Sequence, residues 1–243
     1  MKFFEILNPD GAIVIDDTFK NIELLDHFPM SECQFSAKDG YPSHGTYYLP
    51  RSNPKATLVG IGLNGLNGTA PFGFTASIGG IDFYDVHSGI ANYGIEPVKR
   101  DDIANTTHVY LFGFGDDSPT EHGTGLEICN ADGKVVYSSA KRYLNVLGCG
   151  SEKSETVQMN GTTIAFTLGT DHVTKMYENH KYGAKGVIYD QYPKLTINND
   201  AVSVGMIRAT AVYTAKNEGD PWDWNLIFHC YYNFGWLVGN VVI

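Results

Sequence analysis

The sequence predicts an all-β protein made of two packed, antiparallel β-sandwich-like modules, which we expect to derive from an internal duplication. One stretch occurs twice, at a spacing of half the 243-residue chain. Turn signals separate short β-branched runs along most of the chain. Charged residues make up only 18%, while Gly (27), Tyr (15) and Phe (13) are abundant. This combination is typical of turn-rich β-proteins. The predicted modules are residues 1–122 and 123–243.

The repeat relates residues 3–25 to residues 125–147 without a gap, at an offset of 122. Seven of the 23 aligned positions are identical, where chance would give roughly one or two. A repeat of this kind indicates a duplicated structural unit. The identical pairs are Glu5/Glu127, Ile6/Ile128, Asn8/Asn130, Asp10/Asp132, Gly11/Gly133, Val14/Val136 and Leu25/Leu147.

Each copy of the repeat places two apolar runs around a turn, Asn8–Gly11 in the first copy and Asn130–Gly133 in the second. Asp-Gly between such runs favours a β-hairpin, because Gly adopts positive φ without steric cost. A third short run, Ile22–Leu25 or Leu144–Leu147, extends each hairpin into a predicted three-strand meander. The alternative is two unrelated hairpins that share their turn chemistry.

Further strands are predicted where β-branched and aromatic residues cluster between turns. Thr156–Met159 and Thr162–Leu168 flank Asn160-Gly161 and give the clearest local hairpin pattern. Asp171–His180 is the only segment whose pattern supports a helix. The other predicted strands are Thr46–Leu49, Lys55–Ile61, Ile81–Val86, Thr107–Phe114, Val187–Tyr189, Lys194–Ile197, Val202–Tyr213 and Leu226–Tyr232.

The second copy reads Gly-Leu-Glu-Ile-Cys-Asn-Ala-Asp-Gly-Lys-Val-Val-Tyr-Ser-Ser over residues 125–139, followed by Arg142, Leu144 and Val146. This string resembles a motif of small β-rich proteins encoded in the tail-gene modules of tailed bacteriophages and prophages. The family pattern is Gly-Leu-Glu/Gln-aliphatic-x-Asn-x-x-Gly-x-aliphatic-aliphatic-aromatic-Ser/Asp-Ser, then a basic residue and an aliphatic pair. The first copy, through Ile15–Asn21, is similar to the opening of the same proteins, and Val109–Phe112 also fits.

The resemblance implies a non-enzymatic structural component of a phage tail, located in the virion and made in the host cytoplasm. Such a protein would act by assembly, with sheet edges and aromatic patches buried against other tail proteins. We expect several copies in a symmetric assembly, or a homo-oligomer. No cofactor is expected.

The composition argues against two classes of partner. A net charge of −10 disfavours binding to nucleic acid and to anionic membranes, both of which call for basic surfaces. The most apolar stretch, Leu226–Ile243, contains His229, Asn233 and Asn240 and is too polar for a membrane span. No secretory leader is expected, because Glu5 and Asn8 interrupt the amino-terminal apolar run. Cys33, Cys129, Cys149 and Cys230 show no metal-ligand spacing and are expected to be buried free thiols.

Four further patterns could carry chemistry, and each is better explained structurally. Gly60–Gly65 matches the dinucleotide pattern G-x-G-x-x-G, but the residues after it cannot open the required helix, so a turned loop is expected. The acid pairs Asp16-Asp17, Asp101-Asp102 and Asp116-Asp117 lack calcium-loop spacing and are expected to be solvated. His172 and His180 lack a metal-binding pattern. Cys149 lies between two glycines that could expose its thiol, but a nucleophile would also need a base and an oxyanion site, which the sequence does not place, so a cysteine in a turn is expected. The sequence therefore predicts neither a catalytic nor a metal site.

Trp222 and Trp224 form the one candidate binding surface. They flank Asp223 in a predicted loop after Pro221. Aromatic rings beside acids and amides stack on sugars, and Trp is also common at protein interfaces. The alternative function is therefore a carbohydrate-binding module for attachment to a host surface. Packing in the core is the other reading of the aromatic residues from Trp222 to Trp236.

Overall fold

The computed structural model describes residues 5–7, 13–16, 20–38, 41–87, 90–92, 95, 97–116, 125–150, 155–168, 171–176, 185–214 and 235–241. In these ranges the chain forms nineteen strands, one α-helix, α1 (Pro97–Thr106), and one 3-10 turn (Met30–Glu32). The strands are β1 (Glu5–Leu7), β2 (Ile13–Asp16), β3 (Glu23–Pro29), β4 (Gln34–Lys38), β5 (Tyr41–Tyr48), β6 (Ala56–Gly62), β7 (Phe72–Ser77), β8 (Gly80–His87), β9 (Ile90–Asn92), β10 (His108–Gly113), β11 (Glu127–Cys129), β12 (Val135–Ser138), β13 (Asn145–Gly150), β14 (Glu155–Gln158), β15 (Thr162–Leu168), β16 (Asp171–Met176), β17 (Lys185–Asn198), β18 (Ala201–Thr214) and β19 (Gly235–Val241).

The strands build two large sheets and two small hairpins. The first large sheet has the order β13-β19-β15-β6-β10-β3, and the second has the order β14-β18-β17-β7-β8-β5-β4. Neighbouring strands in these orders are antiparallel, and β16 pairs with β17 in the same way. Strand β9 pairs antiparallel with β8 and parallel with β18. A shared apolar core lies between the two sheets. This arrangement confirms the predicted all-β, sandwich-like class.

Each half of the chain occupies one side of both large sheets. Strands β6, β10 and β3 of the first half lie together in the first sheet, and β15, β19 and β13 of the second half lie beside them. The second sheet divides in the same way, between β7 and β17. The predicted boundary after residue 122 falls in the segment 117–124, outside the described residues. The halves are therefore joined by hydrogen bonds within continuous sheets.

The two repeated hairpins have the same strand register. In β1–β2, Glu5 faces Asp16, Ile6 faces Ile15, and a β-bulge follows Ile6. Adding 122 to each number gives the pairs of β11–β12, where Glu127 faces Ser138, Ile128 faces Tyr137 and a bulge follows Ile128. A duplication would produce this correspondence, although the duplication itself remains a prediction.

The correspondence continues into the first large sheet. Strand β3 pairs with β10, and β13 pairs with β19, with a bulge at the same point of both pairings. Each residue number in β13 is that of its counterpart in β3 plus 122. Each residue number in β19 is that of its counterpart in β10 plus 127. The matching pairs are Glu23–Gly113 with Asn145–Asn240, Leu24–Phe112 with Val146–Gly239, Asp26–Leu111 with Gly148–Val238, His27–Tyr110 with Cys149–Leu237, and Phe28–Val109 with Gly150–Trp236.

In both large sheets the halves meet at an antiparallel pair of strands. Gly60 of β6 faces Phe166 of β15, and Gly73 of β7 faces Lys194 of β17. Next to the first of these pairs, β10 pairs with β6 and β19 pairs with β15, and a bulge interrupts β10–β6 but not β19–β15. A β-carbon at Gly60 would lie 2.5 Å from Ile164 Cγ2 and 2.7 Å from the Phe166 ring. Glycine at position 60 therefore permits the close approach of the two halves.

The first sheet also curls until its two outer segments touch. The Leu24 amide donates to the Arg142 carbonyl at 2.7 Å, and the Leu144 amide donates to the Ile22 carbonyl at 3.0 Å. Lys141 and Glu23 form an ion pair of 3.0 Å beside this seam, and both side chains are largely buried. The seam nearly closes the sheet into a barrel.

Two apolar cores follow from the alternation of side chains along the strands. Tyr110, Phe112, Ile164, Phe166 and Val241 point into the curled first sheet. Their neighbours in sequence, such as Val109, Leu111 and Ala165, point to the larger core between the sheets. The Thr167 hydroxyl ties the layers together, because it accepts from the Ala76 amide at 2.9 Å and donates to the Ala76 carbonyl at 3.1 Å.

Three local predictions are wrong. The three-strand meanders do not form, because β3 and β13 leave their hairpins and join the first large sheet. The Asn160-Gly161 segment does not close a hairpin, because β14 pairs with β18 in one sheet and β15 pairs with β19 and β6 in the other. The turn instead carries the chain from one layer to the next. Asp171–Met176 is a strand, and the remainder of the predicted helix to His180 lies outside the described residues.

Helix α1 was missed because its sequence carries no apolar stripe. Only Ile103 and Ala104 of its ten residues are buried. Amphipathic periodicity is the main signal for a helix in sequence, and a short polar helix lacks this signal.

Candidate interaction surfaces

The predicted binding pair, Trp222 and Trp224, lies outside the described residues. Trp236, the third tryptophan, is described and belongs to the core, with an exposed fraction of 1%. A β-carbon at Gly150 would lie 2.8 Å from its ring, so the glycine of β13 provides room for the indole. For Trp236, core packing is the correct interpretation.

The second repeated hairpin is a self-contained unit whose turn explains several of the repeated residues. The Asn130 side-chain oxygen accepts from the amides of Asp132 and Lys134, each at 3.0 Å. The Gly133 amide donates to the Asn130 carbonyl at 3.0 Å, and Gly133 has a φ of 76°. In this copy Asn130 supplies the side-chain acceptor and Gly133 the positive φ that the turn needs, and the corresponding turn of the first copy lies outside the described residues.

Hydrogen bonds also hold the start of the same motif to its end. The Leu126 amide donates to the Ser139 hydroxyl at 2.8 Å, and the Ser139 amide donates to the Leu126 carbonyl at 2.8 Å. The Ser138 amide donates to the Tyr143 hydroxyl at 2.8 Å, and the Tyr143 ring stacks on Tyr137 at 5.2 Å. Burial raises the pKa of Tyr143. The motif therefore folds as one unit, and its Leu126 side chain stays 54% exposed.

The glycine-rich segment after β6 joins the two halves. No helix follows Gly65. The chain instead turns within 63–71, and the side chains of Leu63 and Leu66 are fully buried. Asn64 donates to the Gly161 carbonyl at 2.7 Å and accepts from the Thr163 amide at 2.9 Å.

The second Leu-Asn-Gly unit of this segment repeats the role of the first. Asn67 accepts from the Asn199 amide at 3.0 Å, and Asn199 has a φ of 50°. Each unit therefore buries a leucine and uses its asparagine to hold a turn of the second half. We call the Leu63–Gly68 segment the asparagine clamp. Its glycine pattern serves close packing, since a β-carbon at Gly65 would lie 2.1 Å from the Thr106 carbonyl oxygen.

The ionisable candidates do not converge in the described part of the chain. Asp101 and Asp102 lie on α1, Asp116 pairs with Lys55, and the other predicted acids and histidines have no described side chains. No group of three or more His, Cys, Asp or Glu residues that could hold a metal occurs among the described residues.

The cysteines divide between core and surface. Cys33 is buried, and desolvation raises the pKa of its thiol to about 11. Cys129 and Cys149 are exposed, so the prediction of burial is wrong for both. Both lie on strands that leave one face to solvent, where position in a strand does not imply burial. Cys230 lies outside the described residues.

A cleft of about 670 Å³ opens at one end of the sandwich, where β6 begins and β7 and β15 end. Its lining is apolar apart from the hydroxyls of Thr57, Ser77 and Thr167. The Thr167 hydroxyl is already bonded to Ala76. None of the described residues that line the cleft has an ionisable side chain, so they supply no acid or base.

An arginine bridges the surface beside β3. Arg51 bonds Asp26 at 2.6 Å and Glu32 at 3.4 Å, and its guanidinium carbon lies 4.7 Å from the centre of the Phe28 ring. The hydrogen bond from Arg51 lowers the pKa of Asp26. This cluster gives the outer edge of β3 a dense set of charges.

Comparisons with known proteins give no match to this chain. No protein-family model matches it, and neither a curated protein nor a solved structure matches it significantly. No helix in the described part of the chain is long and apolar enough to cross a membrane.

Proposed function

We propose that the protein is a non-enzymatic structural component of a bacteriophage tail, at the tail tip, a fibre-attachment point or a related position. The observation that carries the proposal is the resemblance of residues 125–146 to proteins of phage tail-gene modules. The geometry of the motif supports the proposal, because its characteristic residues hold one hairpin together and leave Leu126 exposed. Exposed hydrophobic side chains on a rigid support are suited to burial at a protein interface.

The mode of action is assembly. The continuous sheets and the asparagine clamp make the two halves one stiff unit, so its surfaces would reach neighbouring proteins in a fixed arrangement. Other tail proteins are the partners, and several copies would occupy symmetric positions in the virion.

Immunogold labelling of purified phage particles, with mass spectrometry of the same sample, tests this proposal. Label at one tail position is the expected result. Absence of the chain from intact particles would sink the structural assignment. Leu126→Lys is expected to reduce incorporation of the folded protein. Ile78→Lys is the matched control, because Ile78 is 69% exposed and lies in the β7–β8 turn.

A carbohydrate-binding module for host attachment is the second candidate. It rests on the placement of Trp222 and Trp224 around Asp223 in the sequence. Glycan-array binding that is lost in Trp222→Ala/Trp224→Ala would favour this function. Tyr48→Ala is the control, because Tyr48 is an exposed aromatic residue far from this pair in the sequence. Saturable binding to a tail protein without affinity for glycans would favour the structural function.

A further inference from the structure

Three Asn-Gly dipeptides lie where the two halves of the molecule meet. An asparagine before glycine can deamidate, losing its side-chain amide as ammonia, because no β-carbon hinders attack by the glycine amide nitrogen. The attack also requires rotation of the peptide between the two residues, so the fold can permit the reaction at one site and oppose it at another. The dipeptides are Asn64-Gly65 and Asn67-Gly68 of the asparagine clamp, and Asn160-Gly161 between β14 and β15.

The Asn64 side chain is held at both of its polar atoms. Its nitrogen donates to the Gly161 carbonyl at 2.7 Å, and its oxygen accepts from the Thr163 amide at 2.9 Å. Gly65 packs so closely on the end of α1 that a β-carbon there would lie 2.1 Å from the Thr106 carbonyl oxygen. Neither the side chain nor the following peptide can therefore turn without breaking contacts between the halves.

The Asn160-Gly161 peptide is held through its main chain. The Asn160 carbonyl accepts from the Asn240 side chain at 2.9 Å, and Asn240 is only 3% exposed. The Gly161 carbonyl accepts the bond from Asn64. Rotation of this peptide would leave the buried Asn240 amide without its acceptor, which opposes the reaction.

The Asn67-Gly68 dipeptide is held far less. Asn67 is exposed, and its one side-chain bond is the 3.0 Å contact from the exposed Asn199 amide. Gly68 is exposed with a φ of 78°, and a β-carbon there would meet nothing within 4 Å. The turn is closed by the Thr69 amide, which donates to the Leu66 carbonyl at 3.1 Å, and no described residue bonds the carbonyl of Asn67. This peptide can therefore rotate into solvent.

We propose that Asn67 is a site of spontaneous deamidation in the folded protein, whereas Asn64 and Asn160 are protected. The Gly68 amide nitrogen bonds to Cγ of Asn67 and gives its proton to water. The bond from Cγ to Nδ2 breaks, and Nδ2 leaves as ammonia after taking up a proton. Water then opens the cyclic imide. Cleavage at Cγ gives aspartate at position 67, and cleavage at the main-chain carbonyl carbon gives isoaspartate.

The two products differ in their effect on the asparagine clamp. Aspartate keeps an oxygen that accepts from the Asn199 amide, so the turn persists and the surface gains one negative charge. Isoaspartate lengthens the main chain by one carbon and displaces the acceptor, so this bond between the halves is lost. The second unit of the clamp therefore changes as the protein ages, while the first unit does not. This inference does not depend on the proposed role in a phage tail.

Peptide mapping by mass spectrometry tests the proposal on the full folded chain during incubation at mildly alkaline pH. Electron-transfer fragmentation assigns each conversion to one asparagine and separates aspartate from isoaspartate. Position 67 should convert at least about tenfold faster than positions 64 and 160, where hydrogen bonds must break first. In guanidinium chloride the three sites should react at similar rates, because each dipeptide follows a leucine or a methionine.

Ion-exchange chromatography follows the acidic form of the intact protein. Asn67→Gln should abolish its early accumulation, because glutamine cyclises much more slowly. Asn160→Gln is the matched control and should leave the accumulation unchanged. Conversion of Asn64 or Asn160 as fast as Asn67 in the folded chain would overturn the proposal. So would a folded chain in which no site reacts while the unfolded chain does, or an acidic form that Asn67→Gln retains.

Discussion

The asparagine clamp predicts a large difference between two chemically identical substitutions. Asn64→Ala removes two hydrogen bonds between the halves, to the Gly161 carbonyl and from the Thr163 amide. Thr163 has an exposed fraction of 0%, so solvent has poor access to the residue that loses its partner. A net hydrogen bond contributes about 0.5–1.5 kcal/mol, and a stranded buried donor costs about 1–3 kcal/mol. We expect Asn64→Ala to lower the free energy of unfolding by roughly 2–3 kcal/mol on this basis.

Asn67→Ala serves as the matched control. It removes one bond, from the exposed Asn199 amide. Water can replace this partner, so the expected loss is below about 1 kcal/mol. Urea unfolding followed by circular dichroism measures the free energy of unfolding of both variants, which can be compared when the dependence on urea concentration has the same slope. Equal losses, or a loss below about 0.5 kcal/mol for Asn64→Ala, would refute the assignment of Asn64 as the main clamp residue.

Three further perturbations test other parts of the structure. Gly60→Val should lower the free energy of unfolding in urea by about 1–3 kcal/mol, because the new valine side chain would overlap Phe166 at the junction. An unchanged unfolding midpoint would contradict the close approach of the two halves. Arg51 lowers the pKa of Asp26 below the usual 3.8, so the pair contributes stability that is complete above pH 3.8 and is lost as pH falls through the lower value. Arg51→Met should flatten this part of the stability–pH curve only slightly, since solvent screens the exposed pair, and an unchanged curve would contradict the ion pair. Burial raises the pKa of Cys33 from 9.0 to about 11, so the thiol contributes stability that is complete below pH 9 and declines towards pH 11; the destabilisation caused by Cys33→Ala should shrink over this interval, and a constant difference would argue against burial of the thiol.

Local chemistry was the part of the fold that could be predicted from sequence. The hairpins form where Asn130–Gly133 supplies a side-chain acceptor and a positive φ, and such turns depend on neighbouring residues only. The strand preference of β-branched runs likewise survives in β6, β8, β10, β15 and β18.

The pairing partners of the strands could not be predicted in the same way. Thr156–Leu168 has a strong hairpin pattern, yet Val157 is buried between the sheets and Ile164 inside the curled first sheet. Burial of these side chains in two different cores outweighs the local turn signal. Each strand loses no backbone hydrogen bonds by this, because it can pair with any neighbouring strand of suitable register.

The Gly60–Gly65 segment shows the same difference between features set by neighbouring residues and features set by distant ones. The Gly60–Gly65 pattern indicates a tightly turned loop, but nothing in its residues reveals that Asn64 reaches a turn about one hundred positions further along the chain.

The sequence by itself determined the β class, the repeated hairpins and their turns, because these depend on residues that are neighbours in the chain. Only the tertiary structure decided that the two halves share both sheets and that the asparagine clamp crosses between them. These features depend on contacts between residues far apart in sequence. The free energy that stabilises these features comes from close packing, burial and hydrogen bonds that form only once the two layers have packed together.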